Sequence, residues 1–145
     1  MRIVLVNAPG KGIKVEPLGL EYLASSLKAN NFDVVLVDAT IEGLSEKEFV
    51  NRIKRLKPDV IGITMTTVSL KQDLMALYLS KKACPDAKIV VGGPHPSAVP
   101  IELMNSVKDI DFAVIGEGEI TIVELMKALE TGKEDYNNIP GIAFR

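Results

Sequence analysis

Short apolar runs rich in valine and isoleucine recur at five places along the chain. Each run is almost continuously hydrophobic, which is the pattern of strands buried on both faces inside a parallel sheet. The runs occupy residues 3–6, 34–37, 60–63, 89–91 and 112–115. The pattern therefore predicts five strands in a sheet that helices cover on both sides.

Between these runs the apolar residues change to a helical spacing. Residues 20–27 follow the i, i+3, i+4, i+7 spacing that places one apolar stripe against a core. Similar spacing returns in segments 49–56, 70–78 and 122–129, and a short fifth helix is predicted between 100 and 106. Capping-box patterns that begin at Ser45, Ser69 and Thr121 predict where three of these helices start.

Strands that alternate with helices form a doubly wound α/β domain of three layers with right-handed crossovers. Two strand orders are common in such sheets, 2-1-3-4-5 and 3-2-1-4-5. We favour the flavodoxin-like order 2-1-3-4-5, because in a five-stranded sheet it places the first strand at the centre. The sequence thus predicts an α/β/α domain built on a five-stranded parallel sheet.

The last residues of the chain have the pattern of a connection. A polar turn at 136–138 precedes an apolar segment, 139–145, that resembles the beginning of another strand. We expect residues 1–138 to form one domain. Residues 139–145 are expected to start the linker or strand that leads into a catalytic domain of a longer parent protein.

Composition excludes several classes of function. The 145 residues carry a net charge of -2, which argues against non-specific nucleic-acid binding. One cysteine and one histidine cannot form a disulfide, an iron–sulfur cluster or a thiolate zinc site within this chain. The sequence has no membrane-spanning apolar stretch and no signal-peptide pattern at its start, so we expect a cytoplasmic protein.

The loops after the strands carry the candidate binding residues, because open parallel sheets bind ligands outside the carboxyl ends of their strands. The first loop is long and contains Asn7, Pro9, Gly10 and Gly12. Its glycines would let the backbone approach a ligand closely. The P-loop and G-x-G-x-x-G patterns are both absent, and a flexible surface loop remains the alternative.

The third loop contributes Thr64, Met65 and Thr66, whose hydroxyls and thioether predict a shallow wall with hydrogen-bonding capacity. The alternative is a loop that caps the next helix through Ser69. A phospho-acceptor receiver domain shares this topology but needs acidic residues where Asn7 and Thr64 stand. That class is excluded on chemistry.

The fourth loop is the sharpest local signal, with Gly92, Gly93, Pro94 and His95 in succession. Paired glycines at a strand end remove side chains where something passes close by. His95 stands between two prolines and is expected in extended backbone. A ligand contact, an acid or base, and a plain polar loop residue remain open for it.

The fifth loop contains Gly116, Glu117 and Gly118, followed by Glu119. It predicts either an anionic mouth to a site or carboxylates placed where the dipole of the next helix favours them. Acid–base chemistry would need a substrate pocket between the two carboxylates.

Six segments together resemble a known family. They are residues 17–24, 33–39, 58–64, 91–97, 116–119 and 139–145. In order and spacing the chain resembles the N-terminal cobalamin-binding domain of radical S-adenosylmethionine (radical SAM) proteins. That group includes methyltransferases and the anaerobic magnesium-protoporphyrin monomethyl ester cyclase.

One departure from the classical cobalamin module concerns the axial ligand. Classical modules carry D-x-H-x-x-G after the first strand, and Asn7, Pro9 and Gly12 stand at the Asp, His and final Gly places here. The resemblance therefore implies cobalamin bound with its own base detached and with no protein imidazole on cobalt. S-adenosylmethionine and a 4Fe–4S cluster are expected only in a downstream radical SAM domain, because this chain has no C-x-x-x-C-x-x-C motif.

The resemblance and the loop chemistry together predict a set of cofactor-binding residues, with no catalytic residue and no metal ligand. The set is Asn7, Pro9, Gly10, Gly12, Leu18, Gly19, Thr64, Met65, Thr66, Gly92, Gly93, Pro94, His95, Gly116, Glu117 and Gly118.

Three functions stay open. The leading one is a cobalamin-binding module of a larger radical SAM enzyme, with methyl transfer or related radical chemistry. The second is a cobalamin-like docking domain that has lost the cofactor. The third is a flavodoxin-like nucleotide or flavin binder.

Overall fold

The computed structural model describes residues 1–10, 17–133 and 135–145. Within these residues, strands and helices alternate along most of the chain. The strands are β1 (Arg2–Asn7), β2 (Asp33–Asp38), β3 (Val60–Thr64), β4 (Lys88–Gly92), β5 (Phe112–Val114) and β6 (Ile142–Phe144). The helices are α1 (Leu18–Ala29), α2 (Glu46–Leu56), α3 (Leu70–Ala83), α4 (Pro94–Ala98), α5 (Pro100–Ser106) and α6 (Glu119–Glu130).

The strands form one sheet in the order β2-β1-β3-β4-β5-β6. The first five run parallel, so the α/β class and the order 2-1-3-4-5 predicted from sequence are confirmed. The carboxyl ends of β1, β3, β4 and β5 consequently share one edge of the domain. This edge carries the loops that the sequence singled out.

The sheet has six strands, one more than the hydrophobic runs predicted. Residues 142–144 pair antiparallel with β5, Ile142 opposite Val114 and Phe144 opposite Phe112. Tyr136 fixes this edge, because its ring packs edge-to-face against Phe112 at 4.9 Å and Phe144 at 5.4 Å between centroids. Within the segment 139–145, which was predicted to start a linker or strand toward another domain, residues 142–144 are thus a strand of this sheet.

Alternate residues of each strand feed two separate cores. On one face, which we call the α2/α3 face, β-strand residues such as Val4 and Ile61 pack with Phe49 of α2 and Leu77 of α3. On the opposite α1/α6 face, residues such as Leu5 pack against helices α1 and α6. The period-two alternation of strands therefore sorts a continuous apolar run into two helix layers.

Two of the three predicted capping boxes do not form in the structure, although Ser69 does stand at the start of α3. Ser45 forms the expected capping box with Glu48. Ser69 precedes α3 but makes no capping bond, because its hydroxyl donates to Asp73 at 2.7 Å instead. Thr121 lies inside α6, which begins at Glu119, and its hydroxyl donates to the Pro140 carbonyl at 2.9 Å.

The prediction of extended backbone at His95 was wrong. Pro94 begins the short helix α4, and His95 lies within it. Proline is favoured in the first turn of a helix because its missing N–H is not needed there. The first proline thus starts a helix here, and the restriction that the second places on His95 is overridden.

Candidate functional site: a glycine-lined cavity under the strand ends

A cavity of about 340 Å³ lies on the α1/α6 face and opens at the carboxyl ends of the strands. Its floor is the sheet, its walls come from α1 and α6, and its rim comes from the loops after β4 and β5. The lining residues are Leu5, Gly19, Leu20, Leu23, Gly62, Ile63, Thr64, Val90, Val91, Gly92, Gly93, Pro94, Ser97, Val114, Gly116, Glu117, Gly118, Glu119 and Ile122. Its size falls in the range of small-molecule sites.

Glycines are the reason that this space is open. Of the 11 glycines in the chain, six line the cavity, namely Gly19, Gly62, Gly92, Gly93, Gly116 and Gly118. A Cβ atom built on Gly19 would meet no atom within 4 Å, and one on Gly92 would make only ordinary contact with Val114 at 3.8 Å. Larger side chains at Gly19 and Gly92 would fit the fold and occupy the cavity.

The floor follows from strand register. Leu5 lies opposite Gly62, and Gly62 lies opposite Val90 on the next strand. One row nearer the strand ends, Thr64 lies opposite Gly92. Each row thus places a glycine where its neighbours carry side chains. The Leu5 side chain lies over Gly62, so the groove along the sheet is open beside Gly92.

The rim is held by backbone geometry at the fourth loop. Gly93 has φ +102°, and a Cβ there would stand 2.9 Å from the Met65 carbonyl oxygen. Only glycine fits this position without strain. The Ser97 hydroxyl donates to the Gly93 carbonyl at 2.8 Å and accepts from the Gly116 N–H at 2.9 Å, so it ties the fourth loop to the fifth.

Polar side chains are few in the cavity. Apart from Ser97, they are Thr64, Glu117 and Glu119. The Thr64 hydroxyl has no hydrogen-bond partner among the residues that the structure describes, whereas Glu117 is exposed at the rim. The interior therefore offers one free hydroxyl amid hydrocarbon.

A buried carboxylate braces the third loop on the other side of the sheet. Asp73 is only 3% exposed and accepts from the Ser69 hydroxyl at 2.7 Å and the Thr66 N–H at 3.1 Å. Burial raises the pKa of the Asp73 carboxyl, while those two hydrogen bonds and the charge of nearby His95 oppose the rise. The loop after β3 is therefore anchored from below.

Eight of the sequence-predicted residues line the cavity. They are Gly19, Thr64, Gly92, Gly93, Pro94, Gly116, Glu117 and Gly118. The fold brings these together from α1, β3, β4 and the two loops that follow β4 and β5.

The other predicted residues lie elsewhere. Met65 is fully buried in the core of the α2/α3 face, so it forms no part of a wall at the strand ends. Thr66 belongs to the Asp73 network, and the Asn7 amide donates to Asp38 at 3.1 Å. His95 pairs through Nδ1 with the Thr67 hydroxyl at 3.1 Å.

The remaining four predicted positions lie before or at the start of α1 in the sequence. Pro9 and Gly10 belong to the described part of the first loop but do not line the cavity, nor does Leu18, which is 58% exposed. Gly12 lies outside the described residues.

Sequence analysis missed the apolar half of the site. Leu20 and Leu23 were assigned to the core stripe of α1, and Leu5 and Val114 to buried strands. Gly62 carried a usable signal, because a glycine inside a strand often marks a close approach of another group. The aliphatic residues carried none, since core and cavity walls use the same residue types.

A sequence model of the B12-binding domain family matches residues 1–126. The chain belongs to this family. The glycine-lined cavity at the strand ends is therefore a feature of a B12-binding domain, as the ordered loop segments implied.

Curated relatives support the same family. An uncharacterized methyltransferase of Pyrococcus horikoshii is 34% identical over 152 residues, covering 100% of this chain and 33% of that protein. The anaerobic magnesium-protoporphyrin IX monomethyl ester cyclase of Rubrivivax gelatinosus is 35% identical over 131 residues, covering 88% of this chain and 24% of that protein. The chain thus spans a third or less of each of these relatives.

A solved structure has the same fold. The radical S-adenosylmethionine methyltransferase TsrM from Kitasatospora setae, with cobalamin and a 4Fe–4S cluster bound, matches with a TM-score of 0.85 and 25% identity. The match covers 99% of this chain and 28% of that one.

Proposed function

We propose that this domain holds cobalamin with its nucleotide tail in the glycine-lined cavity and its corrin ring over the strand ends. The observation that carries the proposal is the cavity itself, which opens at the edge where doubly wound sheets bind ligands. A corrin ring is far too broad to enter it, whereas a detached nucleotide tail is slender enough to slide between sheet and helices.

The residues present fit such a tail. Gly19 and Gly92 leave space beside them free of side chains, and a Cβ at Gly19 would project into open space. Leu20 and Ile122 supply apolar walls, which release water when a flat ring covers them. These residues would bind and orient the tail and exclude water from it.

The cobalt environment in this proposal contains no histidine from the first loop. Proline stands at position 9, where the classical module has its histidine. His95 is on another loop and is engaged with Thr67. When bound, cobalamin supplies methyl-transfer or radical chemistry to the parent enzyme.

The alternative of a docking domain that has lost its cofactor would need a filled platform. The described residues of the first and third loops do not fill it, since Met65 turns into the opposite core and Thr66 bonds within its own loop. The open cavity therefore supports the cofactor-binding function.

We further propose that the full-length protein is a radical SAM enzyme, a methyltransferase or cyclase, in which residues 139–145 connect this module to a catalytic domain. The share of its relatives that the chain spans supports a longer parent. A C-x-x-x-C-x-x-C motif in the full-length sequence would support this proposal, and a parent without one would contradict it.

The test of cofactor binding is a titration of the chain with hydroxocobalamin, followed by its visible spectrum and by heat. Gly19→Leu should abolish binding, because its side chain enters the cavity without a clash. The matched control is Ser25→Leu, which adds the same side chain at an exposed position of the same helix. Gly93 is unsuitable for this test, since any Cβ there strains the backbone.

Binding by the parent chain and Ser25→Leu, but not by Gly19→Leu, is the expected result. Thermal unfolding of all three should agree within a few degrees. The proposal fails if the parent chain gives no spectral change and no heat, or if a folded Gly19→Leu binds as tightly as the parent chain.

A further inference from the structure

The number and position of polar groups inside the cavity influence which nucleotide can bind there. The walls are the hydrocarbon of Leu5, Leu20, Leu23, Val90, Val114 and Ile122. In the strands that form the floor, the backbone N–H and C=O groups are hydrogen-bonded to the neighbouring strands. The interior thus has little with which to recognise a polar ring.

The two hydroxyl groups that line the cavity differ in whether they already have hydrogen-bond partners. Ser97 already donates to Gly93 and accepts from Gly116. Thr64 has no partner among the described residues and lies beside the groove, in register with Gly92. One free hydroxyl can serve one ring nitrogen.

Cobamides differ in the lower base that ends their nucleotide tail, which is a benzimidazole in cobalamin and a purine such as adenine in others. A detached benzimidazole exposes one ring nitrogen that needs a donor, and the rest of its surface is hydrocarbon. Adenine adds an exocyclic amine and further ring nitrogens. Burying those groups without partners is costly.

We propose that the cavity selects cobamides with a benzimidazole lower base over those with a purine lower base, through its aliphatic walls and its single free hydroxyl. This inference rests on the proposed function, because it requires the tail to lie in the cavity. It goes further by naming which cobamides the domain accepts.

Glu117 and Glu119 are the groups that could defeat this selectivity. Both line the cavity, and their carboxylates could accept from the amine of adenine. Glu117 is exposed and Glu119 half-buried, and both lie in the stretch that leads into α6. A base that reaches the groove between Gly62 and Gly92 lies among aliphatic side chains instead.

The test titrates the 145-residue chain with three probes: hydroxocobalamin, the corresponding adeninylcobamide, and cobinamide, which lacks the nucleotide. Adeninylcobamide should bind roughly ten- to a hundredfold more weakly than hydroxocobalamin, the range expected when an apolar pocket buries unpaired polar groups. Cobinamide should also bind more weakly than hydroxocobalamin, because it leaves the cavity empty.

Each outcome decides between the two proposals. Equal or tighter binding of adeninylcobamide overturns the selectivity and leaves cobalamin binding intact. Cobinamide that binds as tightly as cobalamin shows that the tail lies outside the cavity, which also overturns the selectivity. Failure of all three probes to bind overturns the proposed function together with this inference.

A wall variant sharpens the test. Val114→Thr keeps the shape of the side chain and adds a hydroxyl inside the cavity, so the preference for hydroxocobalamin should fall severalfold. The control is Ile120→Thr, made at a side chain that is 76% exposed on α6, which should keep the parent preference. If Val114→Thr fails to fold, Ile122→Thr places a hydroxyl on the helix wall with a slightly shorter side chain, and an unchanged preference in a folded wall variant counts against the proposal.

Discussion

The two faces of the sheet are built from the same strands, but one is closely packed and the other contains a cavity. On the α2/α3 face, fully buried Ile61 and Ile89 pack against large side chains from the helices. On the α1/α6 face, Gly62, which follows Ile61, and Gly92 line a cavity of about 340 Å³. Residues one position apart in a strand thus divide a closed core from a ligand site.

The difference shows how a small domain stays stable while carrying an open cavity. A cavity forfeits contacts among the atoms that line it. The closed face offsets that loss with large side chains such as Phe49 and Ile53, both fully buried. The α1/α6 face is therefore free to be incompletely packed.

The largest expected effect is the difference in stability loss between leucine-to-alanine changes on the two faces. Leu77→Ala on α3 should lower the free energy of unfolding by about 3–5 kcal/mol, since it opens a hole in a packed core. Leu20→Ala on α1 should cost only about 2 kcal/mol, because that side chain already borders open space. Denaturant unfolding measures both, and equal costs would mean that the faces are packed alike.

Removal of residues 139–145 should have the next largest effect. The segment accepts from the Ile115 N–H at 2.8 Å through Gly141 and from the Thr121 hydroxyl at 2.9 Å through Pro140. With its ladder bonds to β5, its loss should cost about 2–3 kcal/mol at the usual value per hydrogen bond.

The matched control for this truncation removes Arg145 alone, which leaves β6 in place. The control should melt close to the parent chain, whereas the longer truncation should melt several degrees lower. A truncated chain that melts like the parent would place the end of the stable module at residue 138.

The smallest expected effect concerns the pH dependence of stability. Because burial raises the pKa of the Asp73 carboxyl, the folded state holds that proton more tightly than the unfolded state does. The Asp73 contribution is fully present below the unfolded pKa and is lost as pH rises through the higher folded pKa.

The measurement compares melting temperature across the acidic range for the parent chain and Asp73→Asn, which cannot titrate at that position. As pH rises, the melting temperature of Asp73→Asn should increase relative to that of the parent chain. Glu124→Gln, at an exposed position of α6, is the control and should show no such trend. A parallel pair of curves for the parent and Asp73→Asn would contradict the shift.

Much of the fold was predictable because its signals are local. Continuous runs such as 60–63 marked buried parallel strands, and the Ser45 box marked the start of α2. The start of α6 was misplaced at Thr121, because the hydroxyl that looks like a cap serves Pro140 instead. That partner is 19 residues away, beyond the reach of a local pattern.

The candidate site was predictable only in part, for the same reason. Glycine pairs such as Gly92 and Gly93 were visible as departures from strand and loop composition. Leu23 and Ile122 were not, because an aliphatic residue on a cavity wall looks the same as one in a core. No fold-independent pattern reveals that Asp73 is buried beneath the third loop.

The sequence by itself determined that the first five strands are parallel, that both faces of the sheet are buried and which loops follow the strands. These depend on hydrophobic period and on turn chemistry, which act over a few residues. Tertiary structure alone decided that six glycines from separate segments share one cavity, that residues 142–144 pair with β5, and that the Thr64 hydroxyl has no partner within the described part of the chain. Such outcomes depend on which distant residues the fold brings together, because a cavity is formed jointly by all the residues that surround it.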